Sequence, residues 1–250
     1  MCFDIKTNLK TQLSRVKKID PSLSNKLFEK FKTHIPEFYH HVSGFSHPKM
    51  LIYTNEQPFE PTLSQWGLIP FWVKDENQSN SIQNKTLNAR GETIFEKPSF
   101  RKSAKTNRCI IILDGFYEHH HFNGKSYPFF IYNADLNPIS VAGLWDEWIN
   151  KNTGEVINSF AIVTTKANEL MKKIHNNPKS PESRMPVILQ NEDKKQWLLS
   201  NNKFDLENYI KPLNNNILNA YSVGKLRGKN ATGNTPKAFQ KINYTELNDF

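Results

Sequence analysis

The chain has 250 residues, 37% hydrophobic and 23% charged, which suits one large domain or two small ones and excludes a disordered or fibrous protein. With 33 Lys and Arg against 24 Asp and Glu the net charge is +9, a surface that favours polyanions and points first to nucleic acid. No apolar run approaches the ~18 residues that span a bilayer, and two cysteines, Cys2 and Cys109, do not make a disulfide framework.

The opening MCFDIKTNLK lacks the hydrophobic core of a signal peptide, so a reducing cytoplasm is the expected location. Cys2 follows Met1 directly. Loss of Met1 would leave one residue with both a free α-amine and a thiol, whose ordinary pKa values are roughly 7.7–8.0 and 8.5. Each is partly unprotonated near neutral pH. Together they can close one aldehyde carbon into a five-membered thiazolidine, which no internal cysteine can do.

A helix is expected after Asp20, which can cap it, with Pro21 in its first turn and Leu23, Leu27, Phe28 and Phe31 at helical spacing. Short β-branched or aromatic runs predict strands over 49–54, 108–113, 127–133, 139–144 and 158–164. Turn signals at Asn123-Gly124, Asn137-Pro138 and Thr153-Gly154 separate them. Helices follow over 167–175 and 192–199, with a strand over 186–190. The implied fold is α+β: one domain over 1–250, a mostly antiparallel, barrel-like sheet with flanking helices, a core over about 2–240 and a tail over about 241–250. Residues 211–250, rich in Asn, Lys and Gly, read as irregular surface structure. Within them GKLRGKNATGNTPK (224–237) reads as a flexible loop whose glycines and lysines also suit approach to phosphate.

Four segments place polar residues where a core strand would not. In TLNARGE (86–92), Asn88, Arg90 and Glu92 alternate and would share one face of an extended chain. In IIILDGFYE (110–118), Glu118 follows an apolar strand and two aromatics; desolvation there would raise its pKa toward neutrality and suit it to proton transfer. Thr164 and Thr165 end a strand before a helix, as an anion site or a plain cap. His175 ends that helix, and its ordinary pKa near neutrality suits it to proton transfer. Adjacent histidines at 119–121 point to opposite faces of a strand, and no CxxC or HExxH occurs, so neither a metal nor a cofactor is expected.

Taken in order, Met1-Cys2, Trp66-Gly67, Asn88-Ala89-Arg90-Gly91-Glu92, Asp114-Gly115-Phe116-Tyr117-Glu118, Thr164-Thr165 with Ala167-Asn168, and His175 followed by Arg184-Met185-Pro186-Val187 resemble the SRAP family of SOS response-associated peptidase-like proteins. The resemblance runs from Cys2 to about residue 200. It implies a DNA damage protein that senses abasic sites in single-stranded DNA and crosslinks to them, largely in a single turnover, with a peptidase-like self-release of Met1. Cys2 would be the nucleophile, Asn88 would orient its amine, Glu118 would shuttle protons and His175 would assist opening of the sugar ring. Arg90, Thr164, Trp66 and Arg184 would hold the DNA. The implied molecule is a cytoplasmic monomer with no cofactor, metal or membrane partner. Three features depart from the family pattern: Phe3-Asp4 stands where many members have Gly-Arg, so a phosphate contact is missing and Asp4 would oppose the backbone; a longer loop follows His175; and His119 stands where an aromatic usually follows the Glu118 position. Two other readings stand beside this one. The first is a noncovalent single-strand binding module stacking bases on Trp66, Trp72, Phe100 or Tyr117. The second is a cysteine peptidase acting on other proteins.

Overall fold

The computed structural model describes residues 2–247. The chain opens with β1 (Asp4–Asn8), α1 (Leu9–Gln12), α2 (Ser14–Ile19) and α3 (Pro21–Phe31). Asp20 caps α3 by accepting the Leu23 N–H, as its sequence implies. There follow β2 (Phe38–Ser43), β3 (Lys49–Thr54), β4 (Thr62–Trp66), α4 (Glu76–Gln83), β5 (Asn88–Arg90), α5 (Arg101–Thr106), β6 (Arg108–Leu113), β7 (Gly115–Phe122) and β8 (Lys125–Asn133). The last third contains β9 (Ile139–Ile149), β10 (Val156–Lys166), α6 (Glu169–Ile174), β11 (Arg184–Pro186), α7 (Asn191–Leu199), α8 (Lys203–Tyr209) and β12 (Leu218–Ser222).

Five strands in the order β10-β4-β3-β6-β9 close on themselves through the β9–β10 pairing, so the barrel has no free edge. Only β4 and β10 run parallel among them. A second, wholly antiparallel sheet has the order β12-β8-β7-β1-β2. The fold is the expected α+β, barrel-like architecture. Past Arg108, the barrel strand β6 (CIIIL) is apolar without interruption because both faces are covered. Met50, Ile52, Cys109, Ile111 and Leu113 join Ile5, Phe116, Phe129 and Ile131 of the second sheet in one cluster. Leu51, Tyr53, Ile110 and Ile112, one residue out of phase, join Leu9, Leu13, Leu27, Phe31 and Trp197 of the helices in another.

Arg108 ties the helices to the barrel. Its buried guanidinium donates to the carbonyls of Ala104 and Lys105 at the end of α5, and of Trp197, Leu198 and Ser200 at the end of α7, over 2.6–3.2 Å. These are carbonyls that a helix end leaves without intrahelical partners. Arg108→Ala is expected to lower the unfolding free energy by about 3 kcal/mol or more, read from urea melts, because the stranded carbonyls stay buried.

Two local expectations differ from the structure, and one strand has no forerunner in the sequence reading. Residues 4–8 (DIKTN) have little strand character but form β1, because β2 and β7 pair with both of its edges. The strand expected over 186–190 is instead Arg184–Pro186, followed by an isolated bridge from Ile188 to Val141. The region from 211 onward is more ordered than its composition implies: β12 pairs with β8 along its whole length, and Val223 and Leu226 are buried. Of the expected tail, 248–250 lie outside the described residues, as does Met1. Among the described residues no helix is long and apolar enough to cross a membrane.

Candidate active site

The site forms where the start of the chain enters the second sheet. β1 pairs with β7 in the register Asp4–Tyr117, Ile5–Phe116 and Lys6–Gly115, which brings the residues just before Asp4 alongside Glu118. Gly115 is required where β7 meets its other neighbour, β8: a Cβ there would lie 2.3 Å from the Ile131 carbonyl oxygen, inside van der Waals contact.

The C-terminal end of β10 supplies the other wall. It holds β5 in parallel (Ile162–Asn88, Thr164–Arg90) and β11 in antiparallel pairing (Thr164–Pro186, Lys166–Arg184). From β5, Asn88 Nδ2 donates to the Cys2 carbonyl at 2.9 Å. From α6, His175 occupies the C-cap, and its Nδ1 accepts the Arg184 N–H at 2.8 Å. Asn176 then locks this corner to β7: Oδ1 accepts the His121 N–H at 2.6 Å and Nδ2 donates to the His121 carbonyl at 3.0 Å. His120 Nδ1 adds a contact to the Lys173 carbonyl at 2.8 Å. Glu118 and His175 thereby face one cleft of about 570 Å³, together with Phe3, Asp4, His119 and Arg227.

The electrostatics follow from burial. Cys2 is only 1% exposed. Burial first, then the negative charges of Glu118 and Asp4, push its thiol well above the ordinary range. Burial therefore favours the protonated thiol in the folded chain that still carries Met1; the expectation of a partly ionised thiol concerns Cys2 after Met1 is lost. Glu118 is buried, and burial raises its carboxyl as expected, with Asp4 adding to the shift. Burial pushes His175 down to about 4. A backbone N–H can only donate, so Nδ1 must be the unprotonated nitrogen and the neutral ring carries its proton on Nε2. The expectation that His175 titrates near neutrality is thus corrected: at pH 7 it is a neutral hydrogen-bond donor.

This shift has a consequence for stability. An unfolded histidine binds a proton below its ordinary value of 6.5, whereas the folded ring waits until about 4. The unfolded state therefore gains protons first, and the fold weakens as pH falls through that window. The loss is on the order of 2 kcal/mol after allowance for solvent screening. Urea melts of His175→Gln at pH 7 and pH 4.5 should show a smaller acid loss than the parent chain.

The residues expected to hold DNA are placed unevenly. Arg90 is half exposed and pairs with Glu182 at 2.9 Å. Trp66 is fully buried, with its indole N–H donating to the Leu87 carbonyl at 2.8 Å, so it offers no stacking face. Thr164 is fully buried beneath β5 and β11. Arg184 is 2% exposed, and its guanidinium is spent on Glu92, Glu182 and the Thr164 carbonyl. Trp66, Thr164 and Arg184 are therefore interior side chains that present no surface to a ligand; bulk in a core and a buried charge network outweigh surface roles. Tyr117 and Phe100 are buried as well, and of the suggested stacking residues only Trp72 is exposed. Asp4 does not stand as a lone charge against phosphate. His41 Nε2 contacts one carboxylate oxygen at 2.9 Å and Arg227 Nη2 donates to the other at 2.6 Å. Burial pushes the Asp4 carboxyl up, but the His41 hydrogen bond and the Arg227 charge hold it below its usual range. Among the described residues no group of three or more His, Cys, Asp or Glu is placed to hold a metal ion. Sequence reasoning missed Asn176, His41 and Arg227; only the basic, glycine-rich stretch around Arg227 carried a signal.

Residues 7–229 match the profile of SRAP, the SOS response associated peptidase family. Abasic site processing protein YoqW of Bacillus subtilis (strain 168) is 41% identical over 165 residues, covering 65% of this chain and 68% of that protein. Abasic site processing protein HMCES of Xenopus tropicalis is 33% identical over 153 residues, covering 54% of this chain and 43% of that longer protein. A crystal structure of a Bacteroides thetaiotaomicron protein superposes with a TM-score of 0.83 at 32% identity, covering 96% of this chain and 100% of the other. A Bordetella bronchiseptica protein superposes at 0.73 and 25% identity, over 90% and 100% of the two chains.

Proposed function

The chain belongs to the SOS response associated peptidase family, and from that membership and the cleft beside Cys2 we propose that it processes abasic sites in single-stranded DNA by covalent crosslinking. Hydrolysis of the Met1–Cys2 bond turns the Cys2 nitrogen into an α-amine. That amine adds to the aldehyde carbon of the ring-opened abasic sugar, and water leaves to give an imine. The thiol then adds to the imine carbon, its proton passes to the nitrogen, and the thiazolidine closes. One aldehyde and one aminothiol combine with loss of one water. The product consumes the nucleophile, so each molecule acts once.

Each residue has a task in this sequence. Asn88 holds Cys2 by its carbonyl, and its Oδ1, buried and without a partner among the described residues, is an acceptor suited to an α-ammonium. Glu118, with its raised carboxyl, takes the proton of the attacking amine and returns it to the departing hydroxyl. It also accepts the thiol proton, which suits a sulfur that is protonated at rest and acts second. His175 hydrogen-bonds the sugar ring oxygen through Nε2–H and favours opening without being an imidazolium. Arg90, at the exposed end of β5, meets phosphate. The same acid–base groups serve release of Met1. A single strand is the fitting substrate because the abasic sugar must swing out of any stack to reach the cleft.

The observation that carries this reading is the Asn88–Cys2 hydrogen bond, made to a residue that feels the charge of Glu118 directly. The test is incubation of the protein with a single-stranded oligonucleotide bearing one abasic site. A heat- and denaturant-resistant band should form, with the mass of the chain lacking Met1 plus the oligonucleotide minus one water. No adduct, or an adduct that retains Met1, overturns the reading. The neighbouring exposed rings of Phe71 and Trp72 favour a second reading, stacking on intact single strands; it predicts binding indifferent to the abasic sugar. A peptidase acting on other proteins is disfavoured by the buried, protonated thiol.

A further inference from the structure

The segment after β12 is fastened across the cleft rather than loose. The Val223 N–H donates to the Pro128 carbonyl and the Thr232 N–H to the Lys225 carbonyl, both at 2.9 Å. Asn234 reaches back to β2, accepting the His40 N–H at 2.7 Å and donating to the Phe38 carbonyl at 3.0 Å. Between these anchors the chain alternates. Leu226 is 4% exposed and packs with Tyr117, Phe130 and Val223. Lys225 and Arg227, one residue to either side, are exposed, and both line the cleft that contains Glu118 and His175. Gly228, with φ at +84°, turns the chain away immediately afterwards.

Arg227 is held at one end only. Its Nη2 binds Asp4, whose second oxygen is taken by His41. The Arg227 side chain remains 55% exposed. A guanidinium has five N–H donors in a rigid fork, so a single hydrogen bond to Asp4 orients it and leaves donors for a second anion. Among the described residues no ion pair involves Lys225. Arg90 is different, since its acid partner Glu182 also binds Arg184.

We propose that Arg227 and Lys225 form a phosphate-binding wall of the cleft, gripping the phosphodiester next to the sugar that enters it, with Asp4 and His41 as the positioning pair that sets the Arg227 fork. This rests on the reading of the cleft as a DNA site. It adds to Arg90 a phosphate contact on a loop 223 positions from the strand residue it leans on.

Two measurements test it. The first is the salt dependence of noncovalent binding of an abasic single strand, made in a Cys2→Ala background. Arg227→Ala should weaken binding about tenfold near 0.1 M salt and make the log–log salt slope shallower by about 0.7, the value for one phosphate contact on a single strand. Lys225→Ala should lower the slope similarly, and Arg227→Lys should keep it. The second compares crosslinking of the oligonucleotide with thiazolidine formation on glycolaldehyde, which has no phosphate. Arg227→Ala should slow the oligonucleotide reaction at least tenfold more than the glycolaldehyde reaction. An unchanged salt slope, or equal slowing of both reactions, overturns the proposal and makes Arg227 a brace for β1. If the parent chain forms no adduct while the slopes still fall, the covalent reading fails and the phosphate wall stands.

Discussion

Cys2→Ala leaves no denaturant-resistant adduct with abasic DNA, a fall of at least about 100-fold in crosslinked product at fixed time. The alanine variant keeps an α-amine after loss of Met1, so it still forms an imine, but that imine hydrolyses when the gel is run. Only sulfur five-ring closure makes the linkage durable. Borohydride added during incubation should rescue a band in Cys2→Ala by reducing the imine, which separates the role of nitrogen from that of sulfur. The substitution removes one buried sulfur from a packed cluster, so a stability loss of about 1 kcal/mol is expected and the fold survives. Equal crosslinking by Cys2→Ala and the parent chain, without reductant, would rule out the thiazolidine.

Glu118→Gln slows crosslinking by about 100-fold to 1,000-fold near neutral pH, the span a positioned acid–base group supplies. The same change should stabilise the fold. Burial raises the Glu118 carboxyl above its ordinary value of 4.5, so the folded chain holds that proton longer than the unfolded chain does. Stability tied to this proton is fully present below 4.5 and declines as pH climbs through the folded value. Glutamine carries no such penalty, and its advantage over the parent in urea melts should be small at pH 4 and larger at pH 8. Slower chemistry with a firmer fold is the signature of a group kept for reaction rather than for packing. A parent-like rate for Glu118→Gln at pH 7 would remove Glu118 from the mechanism.

Parts of the site and fold could be read directly from residue order. The bounds of β3 and β6 follow from KMLIYT and RCIIIL, whose central residues are apolar because both strand faces are covered. Asp20 and Pro21 announce α3. Cys2 stands out as the residue after Met1, Asn88 by its alternation with Arg90 and Glu92, Glu118 after an apolar strand and His175 at a helix end; in the fold Asn88 binds the Cys2 carbonyl, and Glu118 and His175 line one cleft. The reading failed where identity depends on distant neighbours. DIKTN is no strand by propensity and becomes β1 because two flanking strands need its backbone. Trp66, Thr164 and Arg184 were taken for ligand contacts, and all three are sealed inside.

Local chemistry thus determined which side chains could act: an aminothiol, an amide, a carboxyl and an imidazole are legible one residue at a time, as are the periodicities that build the barrel. Protonation states and charge partners were decided only when the chain closed on itself. Burial depends on everything packed around a group, so it holds the thiol protonated, raises Glu118 and keeps His175 neutral. The Asp4–Arg227 contact at 2.6 Å joins the first strand to the last loop, and Coulomb attraction acts through space regardless of how many residues lie between.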